Sequence, residues 1–196
     1  MGILAIIPAR KGSSRLPDKN KSNLCGKPMV VYTIEEAKKS KYIDTIIVST
    51  DDKDIKRIAR EYKVYDYNRP KELSTNDTPT IDVIKFVLRQ LPIDYEVDMI
   101  ILLQPTSPLR IVDDIDRCID KYLTGAFSSI VSVVKTFPGR FRFNGAVYIT
   151  SKKMIDNGNI WDDDTGLVIM PYERSVDVDT KADFELCEML LEKEKI

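Results

Sequence analysis

The chain contains no histidine. That absence removes Ser-His-Asp triads, imidazole bases and His-ligated metals. Chemistry is left to carboxylates, amines, guanidinium groups, amides or a hard cation. Cysteine is sparse, and Cys25, Cys118 and Cys187 lie far apart with no C-x-x-C spacing. They predict thiols in a reducing compartment rather than a disulfide frame or a zinc site. No apolar run approaches membrane-spanning length and no signal-peptide pattern precedes Ile3. A cytoplasmic protein with no membrane partner is therefore expected. Charge of one sign is also missing: 30 Lys and Arg balance 31 Asp and Glu for a net charge of -1. A nucleic-acid partner would call for a basic excess, so none is expected.

What is present describes an ordinary globular chain of 196 residues, 43% hydrophobic and 31% charged. One domain over residues 1–196 is the simplest organisation. Strand and helix patterns alternate along it. Short apolar runs predict strands at 3–7, 43–49, 99–103, 129–134, 146–150 and 166–170. Helical periodicity predicts helices beginning at Pro28 and covering 55–62, 79–91, 112–123 and 180–192, with Asp51 or Asp52 capping the second. Residues 67–78 read as a polar loop. The alternation implies an α/β fold with a mainly parallel sheet covered on both faces. Less helix separates the later strands, which predicts an antiparallel edge or a mixed sheet there.

Four segments carry candidate chemistry. Directly after the first strand stands P-A-R-K-G-S-S-R-L-P-D-K-N, residues 8–20, with four cations and one glycine. A loop at the carboxyl end of a central strand lies where open α/β sheets bind ligands. Arg10 and Lys19 there suit phosphate charge, while Ser13 and Asn20 can hydrogen-bond phosphate or a base edge. A single glycine and no G-K-[ST] ending exclude a Walker A loop and a dinucleotide fingerprint. A plain solvated basic loop is the other reading. Ser49-Thr50-Asp51-Asp52 closes the second strand, and Arg69 follows in a loop that should return to the same edge. It reads as a phosphate or base contact, or as a surface ion pair. Residues 104–110, Q-P-T-S-P-L-R, present Gln104, Thr106, Ser107 and Arg110 on a backbone stiffened by two prolines. Gln104 offers donor and acceptor to a polyol. Late in the chain, R-F-N-G-A-V-Y (142–148) precedes S-V-D-V-D (175–179). Extended backbone would put Asp177 and Asp179 on one side and Val176 and Val178 on the other. Two close carboxylates suit Mg²⁺ shared with phosphate. A helix cap is the competing role.

Taken together, the strings at 6–20, 46–51, 69–73, 102–110, 142–148 and 175–179 resemble the acylneuraminate cytidylyltransferase family, in family order and over nearly the whole chain. The resemblance implies a Rossmann-like three-layer nucleotidyltransferase fold. It also implies transfer of CMP from CTP to the anomeric hydroxyl of a sialic acid-like nonulosonic acid, with release of pyrophosphate. Carried over by position, Arg10 and Ser13 would contact CTP phosphates, Lys19 would stabilise the reacting α-phosphate, Asn20 would hold nucleotide and Arg69 would line the cytidine pocket. Gln104, Arg142 and Asn144 would meet the sugar. Asp177 and Asp179 would bind Mg²⁺, and Asp177 with Arg10 and Lys19 would make up the catalytic set.

One departure stands out. Only residues 135–141 separate Val134 from Arg142, where family members usually carry tens of residues that build a dimer contact and meet the sugar carboxylate. A homodimer of the usual kind is thereby in doubt, and Arg140 and Arg142 are candidates to replace those cations within the chain. Pseudaminate, legionaminate or Kdo remain alternative substrates. A D-x-D sugar transferase and a catalytically silent nucleotide-binding regulator are alternative functions.

Overall fold

A computed structural model of the chain describes residues 2–13 and 15–193. The centre is β1 (Ile3–Pro8), flanked in parallel by β4 (Thr45–Thr50) and β6 (Met99–Leu103). β1 and β6 are nearly continuous apolar runs and β4 carries Ile46, Ile47 and Val48 at its centre, because helices cover both faces of the sheet. The two-residue alternation divides their side chains cleanly. Ala5, Ile7, Val48 and Ile101 face α1 (Met29–Lys39), α2 (Lys53–Glu61) and α4 (Val112–Leu123). Leu4, Ile6, Ile47 and Leu102 face α3 (Thr80–Gln90) and α5 (Lys152–Asp156). A short hairpin of β2 (Asn23–Leu24) and β3 (Lys27–Pro28) leads into α1.

The seven-stranded sheet has the order β5-β4-β1-β6-β8-β7-β9. β5 (Tyr65–Asn68) is a strand that the sequence does not announce, and its last two residues correct the start of the expected loop 67–78. Its Y-D-Y-N sequence has no buried apolar run, because an edge strand needs only the backbone ladder of its neighbour, here Val48 against Asp66. The correction moves Arg69 to the first position after a strand, where its N–H donates to the Thr50 carbonyl. β8 (Arg140–Thr150) starts well before the expected residue 146 and lies between β6 and β7 (Ser129–Thr136), antiparallel to both. β9 (Thr165–Met170) closes the edge in parallel with β7. The sheet is mixed, as one of the two expectations has it, with the antiparallel strand inside rather than at its edge.

From β1 the chain builds outward through α1, β4, α2 and β5, then α3 carries it back across to β6 on the other side of β1. This reversal opens a crevice at the carboxyl ends of β1 and β6, where ligands bind in open α/β sheets. The last helix, α6 (Lys181–Lys193), covers a smaller cluster made by Leu24, Met29, Leu109, Val178 and Cys187.

Candidate active site

The crevice is a cavity of about 380 Å³. Its walls include Arg10, Ser13, Arg15, Lys19, Asn20, Arg69, Gln104, Thr106 and Asp179, drawn from segments far apart in sequence.

The basic loop is tied to its surroundings through Arg10 and the Lys11 backbone, while the Lys11 and Arg15 side chains stay exposed. Gly12 takes φ +69, a conformation that costs glycine little, and its carbonyl accepts from the Arg10 guanidinium at 2.9 Å. Arg10 also donates to Asn76 Oδ1 at 2.5 Å. Asp51 does not cap α2. Its carboxylate accepts the Lys11 N–H at 2.6 Å, and Asp52 supplies the cap by accepting from the N–H of Asp54 and of Ile55.

Among the described residues, three buried polar atoms of the crevice wall have no protein partner: Asn20 Oδ1, Arg69 Nε and Thr106 Oγ1. Asn20 is buried and its amide donates to the Arg10 carbonyl at 3.1 Å, but its Oδ1 accepts nothing. Arg69 is buried, with Nη2 donating to the Ser49 carbonyl at 2.6 Å and Nε unpaired. Burial pulls the Arg69 guanidinium down to about 10, so it stays charged at neutral pH. An orphaned acceptor and an orphaned cationic donor on residues lining one cavity suit a ligand carrying both polar edges and negative charge.

Across the crevice, the C-terminal segment meets this loop directly. Lys19 Nζ donates to the Val178 carbonyl at 2.7 Å and to Asp179 Oδ1 at 2.9 Å, while Arg15 pairs with Asp179 Oδ2 at 2.9 Å. Val178 is fully buried, and its N–H donates to the Thr106 carbonyl at 2.7 Å. Asp177 stands beside Thr106 and Gly145, where a Cβ built on the glycine would lie 3.5 Å from the carboxylate. Desolvation raises the Asp177 carboxyl pKa; the Thr106 hydroxyl opposes that shift and the nearby Asp179 charge adds to it. The competing role of helix cap belongs to other residues, since Thr180 and Asp183 form a reciprocal capping pair at the start of α6.

Gln104 leaves β6 on a loop whose rigidity comes from Arg110. This fully buried guanidinium donates to the carbonyls of Gln104 at 3.2 Å and Ala146 at 2.8 Å, and to Thr33 Oγ1 at 2.7 Å. Burial brings Arg110 down to about 10. It holds the wall and does not line the cavity.

The cytidylyltransferase family model matches residues 4–156. The chain belongs to that family. It is 32% identical to the CMP-N,N'-diacetyllegionaminic acid synthase of Legionella pneumophila, over 98% of this chain and 97% of that protein. It is also 32% identical to an N-acylneuraminate cytidylyltransferase of Escherichia coli, over 97% of this chain but 52% of that one. The chain therefore spans nearly all of the first relative and about half of the second. A CMP:2-keto-3-deoxy-manno-octonic acid synthetase structure complexed with CTP superimposes with a TM-score of 0.81 at 17% identity, covering 99% of this chain and 100% of that one. A 4-diphosphocytidyl-2C-methyl-D-erythritol synthase from Anaerococcus prevotii gives 0.70 at 16% identity, over 97% of this chain and 96% of that one. The α/β fold is that of these nucleotidyltransferases.

Two expected sugar contacts of this cytidylyltransferase lie elsewhere. Asn144 is buried with every polar atom used. Its Oδ1 accepts from Ser132 Oγ and from the Ala146 N–H, and its amide donates to Ser175 Oγ and Met170 Sδ. The reason is a bulge in β8. Pairing to β7 jumps from Val131–Tyr148 to Val133–Phe143, and Ser132 Oγ bridges the gap by accepting the Val147 N–H. Asn144 pins that bulge, and Gly145 within it, at φ +75, reaches Asp177. Arg142 and Arg140 are exposed on the β7–β8 hairpin and line neither the crevice nor the cavity adjoining it. The residue in this stretch that turns toward a cavity wall is Phe143.

Sequence reasoning missed Asn76, Thr80 and Trp161. Asn76 and Thr80 lie in and after a polar loop whose partner, Arg10, is 66 positions away from Asn76. The lone tryptophan in a run of Asp and Asn was the one available signal for Trp161.

Proposed function

We propose that this cytidylyltransferase transfers CMP from CTP to the anomeric hydroxyl of a sialic acid-like nonulosonic acid and releases pyrophosphate. The observation that carries the reading is the meeting of Lys19 with the Val178–Asp179 strap, across a crevice that also holds Arg10 and Arg69. Phosphoryl-group transfer depends on positioning and charge neutralisation, which this set supplies without histidine.

In this reading Arg10, Ser13 and the backbone around Gly12 hold the β- and γ-phosphates. Asn20 Oδ1 and Arg69 Nε satisfy their unmet hydrogen bonds on the nucleoside. Lys19 meets the charge that builds on the α-phosphate oxygens. Gln104 orients the sugar so that its anomeric oxygen bonds to the α-phosphorus as the bond to pyrophosphate breaks in line. The leaving pyrophosphate takes the bonding electrons, and Asp177 accepts the hydroxyl proton.

Mg²⁺ fits the donor set. Asp177 and Asp179 are hard oxygen donors two positions apart, Asp179 on the crevice wall and Asp177 exposed outside its lining, and this ion commonly takes one or two carboxylates with phosphates and waters. Among the described residues no group of three acidic or other ligating side chains could hold it without substrate. When bound, the ion would neutralise phosphate charge and polarise the hydroxyl.

The full-length match to the Legionella relative favours a legionaminate-type acid as a second reading of the substrate. Pyrophosphate release from CTP and Mg²⁺, measured over N-acetylneuraminate, legionaminate, pseudaminate and Kdo, tests both. Release with at least one acylated nonulosonate is expected. CTP binding without release for any of these acids would support the silent regulator instead.

A further inference from the structure

The strap that carries Asp177 and Asp179 begins at a buried ion pair with no part in the chemistry proposed above. Arg174 ends the short 3-10 turn Tyr172–Arg174, just before Ser175. Its guanidinium forks onto Asp114, with Nε donating to Oδ2 at 2.8 Å and Nη2 to Oδ1 at 2.9 Å. The Asp114 side chain is fully buried in the first turn of α4, where Oδ2 also accepts the Ile111 N–H at 3.3 Å. Arg117 adds a more distant charge, 3.9 Å from Oδ1. The Asp114 carboxylate also favours the charged form of Arg110, the guanidinium that holds the Gln104 and Ala146 carbonyls. The pair therefore joins the segment that presents Gln104 and Thr106 to the segment that presents Asp177 and Asp179.

A carboxylate taken fully out of water often costs more than its ion pair returns, and apolar side chains in place of both charges commonly hold a fold as well. What the fork does supply is direction, through two parallel hydrogen bonds between planar groups. Resting on the cytidylyl-transfer reading, we infer that Arg174 is a positioning residue for that reaction: its fork on Asp114 fixes the entry of the strap, and with it the placement of Asp177 and Asp179. Beyond Arg174 the strap is tied at separate points. Asn144 Nδ2 donates to Ser175 Oγ at 3.0 Å, and the Val178 N–H donates to the Thr106 carbonyl at 2.7 Å. Asp177 lies between those two ties and takes its direction from both.

Arg174→Lys keeps the buried charge pair and removes the fork. With CTP, Mg²⁺ and N-acetylneuraminate or legionaminate it should lower kcat for pyrophosphate release by about 10- to 100-fold and leave the KM for CTP unchanged, as a small displacement of a reacting group does. Amide exchange of the intact protein without substrate reads the strap itself. The Val178 N–H should exchange at least ~10-fold faster in Arg174→Lys than in the unaltered protein, while amides of β1 and β6 stay as slow. Asp114→Leu combined with Arg174→Met leaves no buried charge alone, so this double variant should keep a Tm near that of the unaltered protein and still show the low kcat. Full turnover in either variant would overturn the assignment, as would an unchanged exchange rate at Val178 in Arg174→Lys. Faster exchange there, with no pyrophosphate release by the unaltered protein from any acidic sugar, would keep the clamp and contradict the reaction instead.

Discussion

Lys19 and Asp179 stand 160 positions apart in the chain, yet Nζ lies 2.9 Å from the carboxylate oxygen. The first loop and the last strap of the protein close on each other at this pair, with the Val178 carbonyl as a further acceptor for the same ammonium. Charge of both signs is thereby held at one end of a cavity sized for a nucleotide.

Lys19 consequently has two roles that can be separated. Lys19→Ala should lower kcat by about 100- to 1000-fold, the usual cost of removing a donor aimed at developing charge. It should also lower stability by about 1–2 kcal/mol, because a mostly buried hydrogen-bonded cation is lost. Lys19→Arg should keep the strap tied and recover the stability more fully than the rate. Chemical denaturation alongside steady-state kinetics reads both effects.

Arg110 is expected to behave in the opposite way. Its three hydrogen-bond acceptors are the carbonyls of Gln104 and Ala146 and the Thr33 hydroxyl, all in the interior. Arg110→Met should cost about 3 kcal/mol or more in a urea titration by leaving these groups unmatched. Direct loss of a CTP contact would require Arg110 to reach the crevice, which it does not line.

Asn144→Ala should report scaffold rather than substrate contact. Ser132, Ser175 and the Ala146 N–H all lose a partner in a buried setting, a cost of about 2–3 kcal/mol. Thermal unfolding should shift before the sugar KM does. A large rise in KM with unchanged Tm would instead return Asn144 to the substrate.

Acid should unfold the protein partly through Asp52. Burial alone would raise this carboxyl, but the Lys21 ammonium and the N–H groups of Asp54 and Ile55 outweigh it and hold the pKa below the usual 3.8. A carboxyl depressed in the folded state contributes stability that is present above the unfolded pKa. That contribution disappears as pH falls below about 4 and through the folded value. Asp52→Asn should flatten the acid limb of a Tm-against-pH curve while keeping an N-cap.

The central strands and helices were legible because each carries its own periodicity: Met99–Leu103 and Val112–Leu123 are bounded as the apolar pattern predicts. β5 was not, since an edge strand of alternating aromatic and polar residues resembles a loop until a neighbour's ladder is present. Arg10, Lys19 and Asp179 were legible as candidate phosphate and cation groups, each with an ordinary structural alternative, and the structure brings them to one cavity. Asn144 misled because a polar residue in a strand has the same appearance whether it meets ligand or pins a bulge. Trp161 lay beyond reach because its partners, Tyr148 and Phe143, are determined by tertiary packing alone.

The central claim is that the sugar's anomeric oxygen attacks the α-phosphorus of CTP in the Lys19–Asp179 crevice. Its most direct test is the fate of an ¹⁸O label on that hydroxyl, followed by mass spectrometry of the nucleotide sugar under Mg²⁺ and CTP. The account predicts the label retained in the bridge between sugar and phosphate, with one pyrophosphate released per label transferred. Unlabelled product, or CTP cleavage with no sugar ester formed, would contradict it.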